Sequence, residues 1–410
     1  MKRYIVIGNG TAAVGCIEGI RSTDSEGAIT VISQENRPVY CRPLISYFLE
    51  DKTTEQKMLY RAPSFYTDYS VSVLYGESAV KIDGAGKTVT TSSGKTLPYD
   101  KLCLACGSTP FLPPMENIES VEKRFSFMTM DDAVALKEAV TPQSRVLIVG
   151  AGLIGLKCAE GLYAITKNIA VCDLADHILS SILDFDDAKD MQDSLEARGI
   201  TFSLGTSVAR FEGNTAIMKN GEEIPFDILV TAVGVRATIG IFKEAGGSCG
   251  RGITVDQTMA TSLPDVFAAG DCTESLDAAD GKVKIMALML NAYFQGYCAG
   301  VNMAGGDRSI DDAVPMNSIG FFGLHLMSAG TRVGEEKTVV TAKGRKRFYF
   351  SDGKLVGFVL IGDVGCAGIY TNIIKKRIPV SELVGFDLEK EPTLSVYGTE
   401  KRKKTVESVV

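Results

Sequence analysis

The sequence predicts an α/β fold in which two copies of one parallel-sheet unit are joined to a small α+β domain. Three observations carry this expectation. Tyr4 to Ile7 is an apolar run leading directly into Gly8-x-Gly10-x-x-Ala13, and a second apolar run ends at Val149 and leads into Gly150-x-Gly152-x-x-Gly155. Later landmarks also keep step: Gly221 and Gly234 follow Gly94 and Gly107 by the same interval, 221 − 94 = 234 − 107 = 127. Spacing this regular marks a duplicated unit rather than two unrelated glycine turns.

In the first copy, a fully apolar strand suits the buried centre of a parallel sheet. Gly8 permits the tight turn, and Gly10 lets the backbone approach a pyrophosphate held at the N-terminus of the next helix. Ala13 supplies the small third residue. Val14 to Ile20 fits that helix, and Ala28 to Ile32 fits a second strand ending in Ser33-Gln34-Glu35. Glu35 is either an acceptor for an adenosine ribose or a solvated loop glutamate, since Ser33 holds the more usual acidic position. The glycine loops lie 150 − 8 = 142 residues apart, so the first copy carries 142 − 127 = 15 extra residues, placed around Cys41-Arg42. Arg42 is suited to neutralising a pyrophosphate, or is a plain surface charge. Val71 to Asp100 reads as a small antiparallel meander. Lys101 to Ala105 reads as a buried strand ending at Cys106-Gly107, and Pro110, Pro113 and Pro114 mark a crossing between domains.

In the second copy the strand Asn168 to Cys172 ends at Asp173, which is 173 − 150 = 23 residues past the first glycine, a suitable distance for a ribose-binding carboxylate. The following Leu174-Ala175-Asp176-His177 offers no arginine for a 2′-phosphate, so NADH is expected over NADPH. A further apolar strand within Ser262 to Asp271 ends in Gly270-Asp271. Asp271 is a helix cap as readily as a ligand for a sugar alcohol.

With 410 residues, 45% of them apolar and 23% charged, the chain is expected to form two or three soluble domains, and a net charge of −7 argues against a nucleic-acid binder. No apolar run approaches the ~20 residues of a membrane span. The first strand begins at Tyr4, leaving no room for a signal peptide, so a cytoplasmic location is expected. Ten scattered cysteines fit reduced thiols, and no metal-binding motif is visible. Cys103-x-x-Cys106 lies on a strand, where residues three apart face opposite sides, which disfavours pairing. The basic runs Lys343 to Arg347 and Lys401 to Lys404 are solvated segments or a docking patch for an acidic partner.

Together these motifs resemble the FAD- and NAD-dependent pyridine nucleotide-disulfide oxidoreductase superfamily over residues 1 to about 385. Within it they resemble rubredoxin reductase and the flavin domain of assimilatory nitrite reductases, through Tyr40-x-Arg42-Pro43-Leu44-x-Ser46 and Gly353-x-x-x-Gly357-x-x-x-x-Gly362-Asp363. The resemblance implies two Rossmann-like dinucleotide-binding domains, an FAD domain at 1–115 and 250–315 interrupted by an NAD domain at 116–249. A C-terminal domain at 316–390 and a charged tail at 391–410 follow. It assigns Gly8, Gly10, Thr11, Ala12, Glu35, Arg42, Val80, Cys106, Gly107, Gly270 and Asp271 to FAD, and Gly150, Gly152, Gly155, Asp173 and Gly234 to NAD. Two positions depart from its pattern: Lys157 replaces a glutamate, with Glu160 one turn on, and Tyr47 replaces a lysine.

The activity this implies is hydride transfer between nicotinamide C4 and flavin N5, with electrons exchanged with an iron–sulfur carrier or metalloenzyme partner. The competing enzyme reading is an NADH oxidase, peroxidase or disulfide reductase using Cys41, although the usual sequence around such a cysteine is absent here. A flavoprotein redox sensor or scaffold is the non-enzyme reading. Oligomeric state is not legible.

Overall fold

The computed structural model describes residues 1–398. It divides into two compact units, one of residues 1–37, 64–107 and 237 onward, the other of residues 38–63 and 108–236. The chain thus passes between units at 37/38 and 63/64, where no boundary is expected, and at 107/108 and 236/237 rather than at 115/116 and 249/250.

In the first unit, strands Val266–Ala268, Lys101–Leu104, Arg3–Ile7, Ala28–Ser33 and Val71–Tyr75 pair in that order, all parallel. Arg3–Ile7 sits at the centre, and Tyr4 to Ile7 are buried, which explains an apolar run without alternation. In the second unit, strands Thr201–Leu204, Ile169–Asp173, Val146–Val149, Ile228–Thr231 and Arg124–Ser126 repeat the arrangement around Val146–Val149. Each unit also carries a three-stranded antiparallel meander.

The duplication extends to single hydrogen bonds. Arg3 donates from its main-chain nitrogen (2.8 Å) and guanidinium (2.8 and 3.1 Å) to Asp100, and Arg145 does the same to Asp227 (2.9, 2.7 and 3.1 Å). These bonds hold both carboxyls well below the usual carboxylate range, at about 2. Whatever stability the pairs contribute is present above about pH 4 and lost as pH falls through the folded value.

The insertion in the first copy lies within residues 38–63 and packs in the second unit. Tyr40 accepts at its hydroxyl from Met130 N (2.9 Å), and Lys137 donates to Phe48 O (2.8 Å) and pairs with Asp51 (2.5 Å). A Cβ at Gly161 would lie 2.9 Å from Ser46 O, so a glycine there lets helix Ile45–Leu49 settle against helix Leu153–Leu162.

The remaining part of the first unit is a five-stranded antiparallel sheet from Met316 to Ile361, covered by helix Ala367–Lys375. The segment expected to begin a charged tail at 391 instead continues this domain. Val396 and Tyr397 are buried in its core, and Tyr397 donates to Ile369 O (3.0 Å). Of the basic run at 343–347, Lys346 is buried against Asp363 (3.0 Å) and Arg347 pairs with Glu336 (2.7 Å). Two of the run's four cations are thus engaged by the domain's own carboxylates, which reduces its value as a docking patch. The run at 401–404 lies outside the described residues.

One helix crossing ties the first unit together. On Thr11–Arg21, Cβ atoms at Gly15 and Gly19 would lie 2.2 and 2.3 Å from carbonyl oxygens of Tyr293 and Tyr297. On Met289–Ala304, Cβ atoms at Gly296 and Gly300 would lie 1.9 and 2.1 Å from those of Ala12 and Cys16. Glycine on both helices therefore sets the backbone approach. Gly296→Ala should cost about 1–3 kcal/mol of stability, the usual cost of overpacking, read as a lower urea midpoint at unchanged slope. Gly240→Ala, which meets nothing within 4 Å, serves as the control and should leave the midpoint unchanged.

Candidate functional site

Both parallel sheets present glycine-lined turns at the carboxyl ends of their strands, where open α/β sheets bind ligands. In the first unit Gly8 has φ +105°, and a Cβ there would lie 2.1 Å from Ala105 O, so the loop lies directly against the turn carrying Cys106 and Gly107. A Cβ at Gly270 (φ +84°) would lie 3.0 Å from that of Ala12. Three turns of distant sequence, 8–12, 105–107 and 270–271, therefore converge. A Cβ on Gly10 would meet nothing within 4 Å, so the surface beside the N-terminus of helix Thr11–Arg21 is open. Open space at a helix N-terminus is suited to an anionic group.

The second unit repeats the geometry. Gly150 has φ +118° and lies against Ala232 O (2.3 Å to a Cβ), beside the turn that carries Gly234. Gly152 faces open space, whereas a Cβ at Gly155 would strike Gly150 O at 1.9 Å. The three glycines thus serve separately for turn, ligand approach and helix packing. Asp173 accepts from Ala151 N (2.6 Å) and Ala175 N (2.8 Å), which fixes its carboxylate beside the loop.

The remaining expected residues fall as follows. Gly8 bonds to Ile32 O (2.9 Å) as Gly150 bonds to Cys172 O (2.8 Å), so Ser33 is the positional match of Asp173. Ser33 donates to Glu35 O (2.7 Å), and Glu35 is half-buried two residues beyond it. Val80 is 47% exposed, at a bulge where pairing passes from Ala79 to Lys81. Thr11 begins the loop helix. Whereas the other residues assigned to FAD belong to the first unit, Arg42 and Cys41 belong to the second. In that unit Lys157 pairs with Glu160 and sits 4.8 Å from the centre of the Tyr47 ring, so the two departures from the family pattern meet each other. Gln295 was not singled out in the sequence. It is 2% exposed and accepts from Gly270 N (2.8 Å), at the turn before Asp271.

The thiols divide by environment. All ten cysteines are free. Cys103 is held above its usual range by Cys16 and burial, and Cys106 by Cys272 and burial, so the two thiols of Cys103-x-x-Cys106 have different neighbours. Cys41 is half-buried, with its main chain bonded to Met58 O (2.7 Å), and burial pushes its thiol up. Among the described residues no cluster of side chains could hold a metal ion, and no helix is long and apolar enough to cross a membrane.

The family model for pyridine nucleotide-disulphide oxidoreductase matches residues 2–296. The chain belongs to that family. It is 28% identical to the NADH-dependent phenylglyoxylate dehydrogenase subunit epsilon of Aromatoleum evansii, over 93% of each chain. It is also 28% identical to an NADH oxidase of Methanocaldococcus jannaschii, over 96% of each. It is 25% identical to the NADH-rubredoxin oxidoreductase of Clostridium acetobutylicum, over 88% of this chain and 91% of the relative. The crystal structure of that last enzyme superposes with a TM-score of 0.75 over 92% of this chain and 96% of the other, at 22% identity. The chain is an NADH-dependent flavin oxidoreductase whose cofactors are FAD and NAD(H).

The state of Cys41 can be read chemically. Burial raises the thiol against a smaller opposing pull from the Leu44 main chain, which favours the protonated form at neutral pH. Its alkylation by iodoacetamide, followed on the Cys41 peptide by mass spectrometry, should be slow at pH 7.5 and still rising above the ordinary thiol value of about 8.5. A rate that levels off below pH 8 would show a stabilised thiolate instead.

Proposed function

We propose that this protein passes electrons between NADH and an iron–sulfur carrier or metalloenzyme partner, directly from its flavin and without a redox thiol. The observation that carries the reading is Cys41. It is the cysteine that a thiol-based cycle would use, and it is half-buried with its thiol pushed up by burial, while the residues that surround a redox cysteine in related oxidases are absent from the Tyr40-Cys41-Arg42-Pro43 segment. The names of the relatives support both this and the oxidase reading, and the thiol is what supports the first over the second.

The first unit is proposed to hold FAD and the second NADH. Bound FAD supplies hydride acceptance at N5 and the release of two electrons, singly where the partner requires it. The chain's own contribution is binding and orientation. The open face at Gly10 and the helix behind it would receive the pyrophosphate. Asp271 would accept from hydroxyls of the ribityl chain, Glu35 from the adenosine ribose, and the main chain at Val80, Cys106 and Gly107 would border the cofactor. In the second unit Gly152 leaves room for the dinucleotide, and Asp173 would accept from the free ribose hydroxyls while repelling a 2′-phosphate.

Two outcomes test the reading. With Cys41→Ser, NADH-dependent reduction of ferricyanide or rubredoxin should stay within about twofold of the parent, and oxygen consumption should be slow in both. Loss of turnover with every acceptor, or rapid formation of water from oxygen, would move the assignment to the oxidase class. For the nicotinamide, Asp173→Ala should narrow the preference for NADH in kcat/KM by roughly 1.5–3 kcal/mol, the value of one charged hydrogen-bonded contact. Equal use of NADH and NADPH by the unmutated enzyme would remove the role given to Asp173.

A further inference from the structure

We infer that Gln295 is a positioning residue for the flavin site, holding the turn that presents Asp271. This rests on the reading that Asp271 binds FAD. Gly270 takes up a left-handed backbone (φ +84°) immediately before Asp271, in a buried turn. The amide of such a turn needs a partner, because an unpaired buried N–H is costly. Gln295 supplies it: its Oε1 accepts from Gly270 N at 2.8 Å, and its Nε2 donates to Ser275 Oγ at 2.9 Å. The Thr273 hydroxyl lies 2.8 Å from Gly270 O and 3.1 Å from Gln295 Oε1, closing the ring of contacts. One side chain therefore bonds to the turn before Asp271 and to the strand after it, Thr273–Leu276.

The next residue along the helix, Gly296, packs against the Ala12 carbonyl of the glycine-loop helix. Adjacent positions on one helix thus serve two parts of the site. Gly296 sets the pyrophosphate loop, and Gln295 sets the carboxylate turn. A purely structural role for Gln295 would disturb both parts together. A positioning role disturbs only the part beyond the pyrophosphate.

ADP distinguishes the two, because it carries the adenosine and pyrophosphate but no ribityl chain. In full-length holoenzyme, FAD release on dilution, followed by flavin fluorescence, gives its Kd, and competition against FAD rebinding gives the inhibition constant of ADP. Gln295→Met, similar in shape without hydrogen bonds, should raise the FAD Kd by about tenfold or more while leaving the ADP constant within about twofold. An unchanged FAD Kd, or equal losses for FAD and ADP, overturns the inference. Asp271→Asn is measured in parallel: if it leaves FAD binding intact, the reading of Asp271 fails, whereas weakening there without weakening in Gln295→Met sinks the role of Gln295 alone. Should Gln295→Met not fold, Ser275→Ala decides. It removes the partner of Nε2 and should weaken FAD selectively and less; an unchanged FAD Kd in that variant overturns the inference as well.

Discussion

The approach of one backbone to another at the turn after each central strand is the constraint on which both glycine loops depend. Gly8 lies under the carbonyl of Ala105 and Gly150 under that of Ala232, so close that a single methyl group would overlap the oxygen. This contact brings the glycine loop against the late strand of the same sheet. The turns at 105–107 and at 232–234 are thereby carried to the same edge as the loop. A residue with a side chain at either position would separate loop from sheet, and with it the helix N-terminus from the open face beside it.

The same device recurs where the first helix meets Met289–Ala304. Four glycines, two on each helix, let the backbones cross nearly in contact. The helix that closes the first unit therefore reads two parts of the site at once, the loop through Gly296 and the Asp271 turn through Gln295. The second unit has its own version in Gly161, which admits helix Ile45–Leu49.

Much of this was legible in the sequence because it is local or periodic. Glycine spacing after an apolar run announced both cradles, and the fixed interval of 127 residues announced the duplication down to Asp100 and Asp227, whose bonds to Arg3 and Arg145 match almost atom for atom. The 15-residue excess in the first copy located the insertion. Its destination was hidden, since it depends on contacts with Met130, Lys137 and Gly161 about 90 or more residues away. The basic run at 343–347 was misleading for a similar reason: a charge run shows the cations, while the strand register that pairs Lys346 with Asp363 and Arg347 with Glu336 lies elsewhere. Gln295 carried no motif of its own, although the small-residue spacing Gly15-x-x-x-Gly19 and Gly296-x-x-x-Gly300 around it could have drawn attention to that helix pair.

The central claim is that the flavin is the only redox centre between NADH and the electron carrier. An anaerobic titration of the purified holoenzyme with dithionite, followed by flavin absorbance, counts the electrons directly. Two electron equivalents per FAD should complete the reduction. Uptake of four, with two equivalents consumed before the flavin bleaches, would reveal an oxidised thiol acting alongside it and would contradict the account.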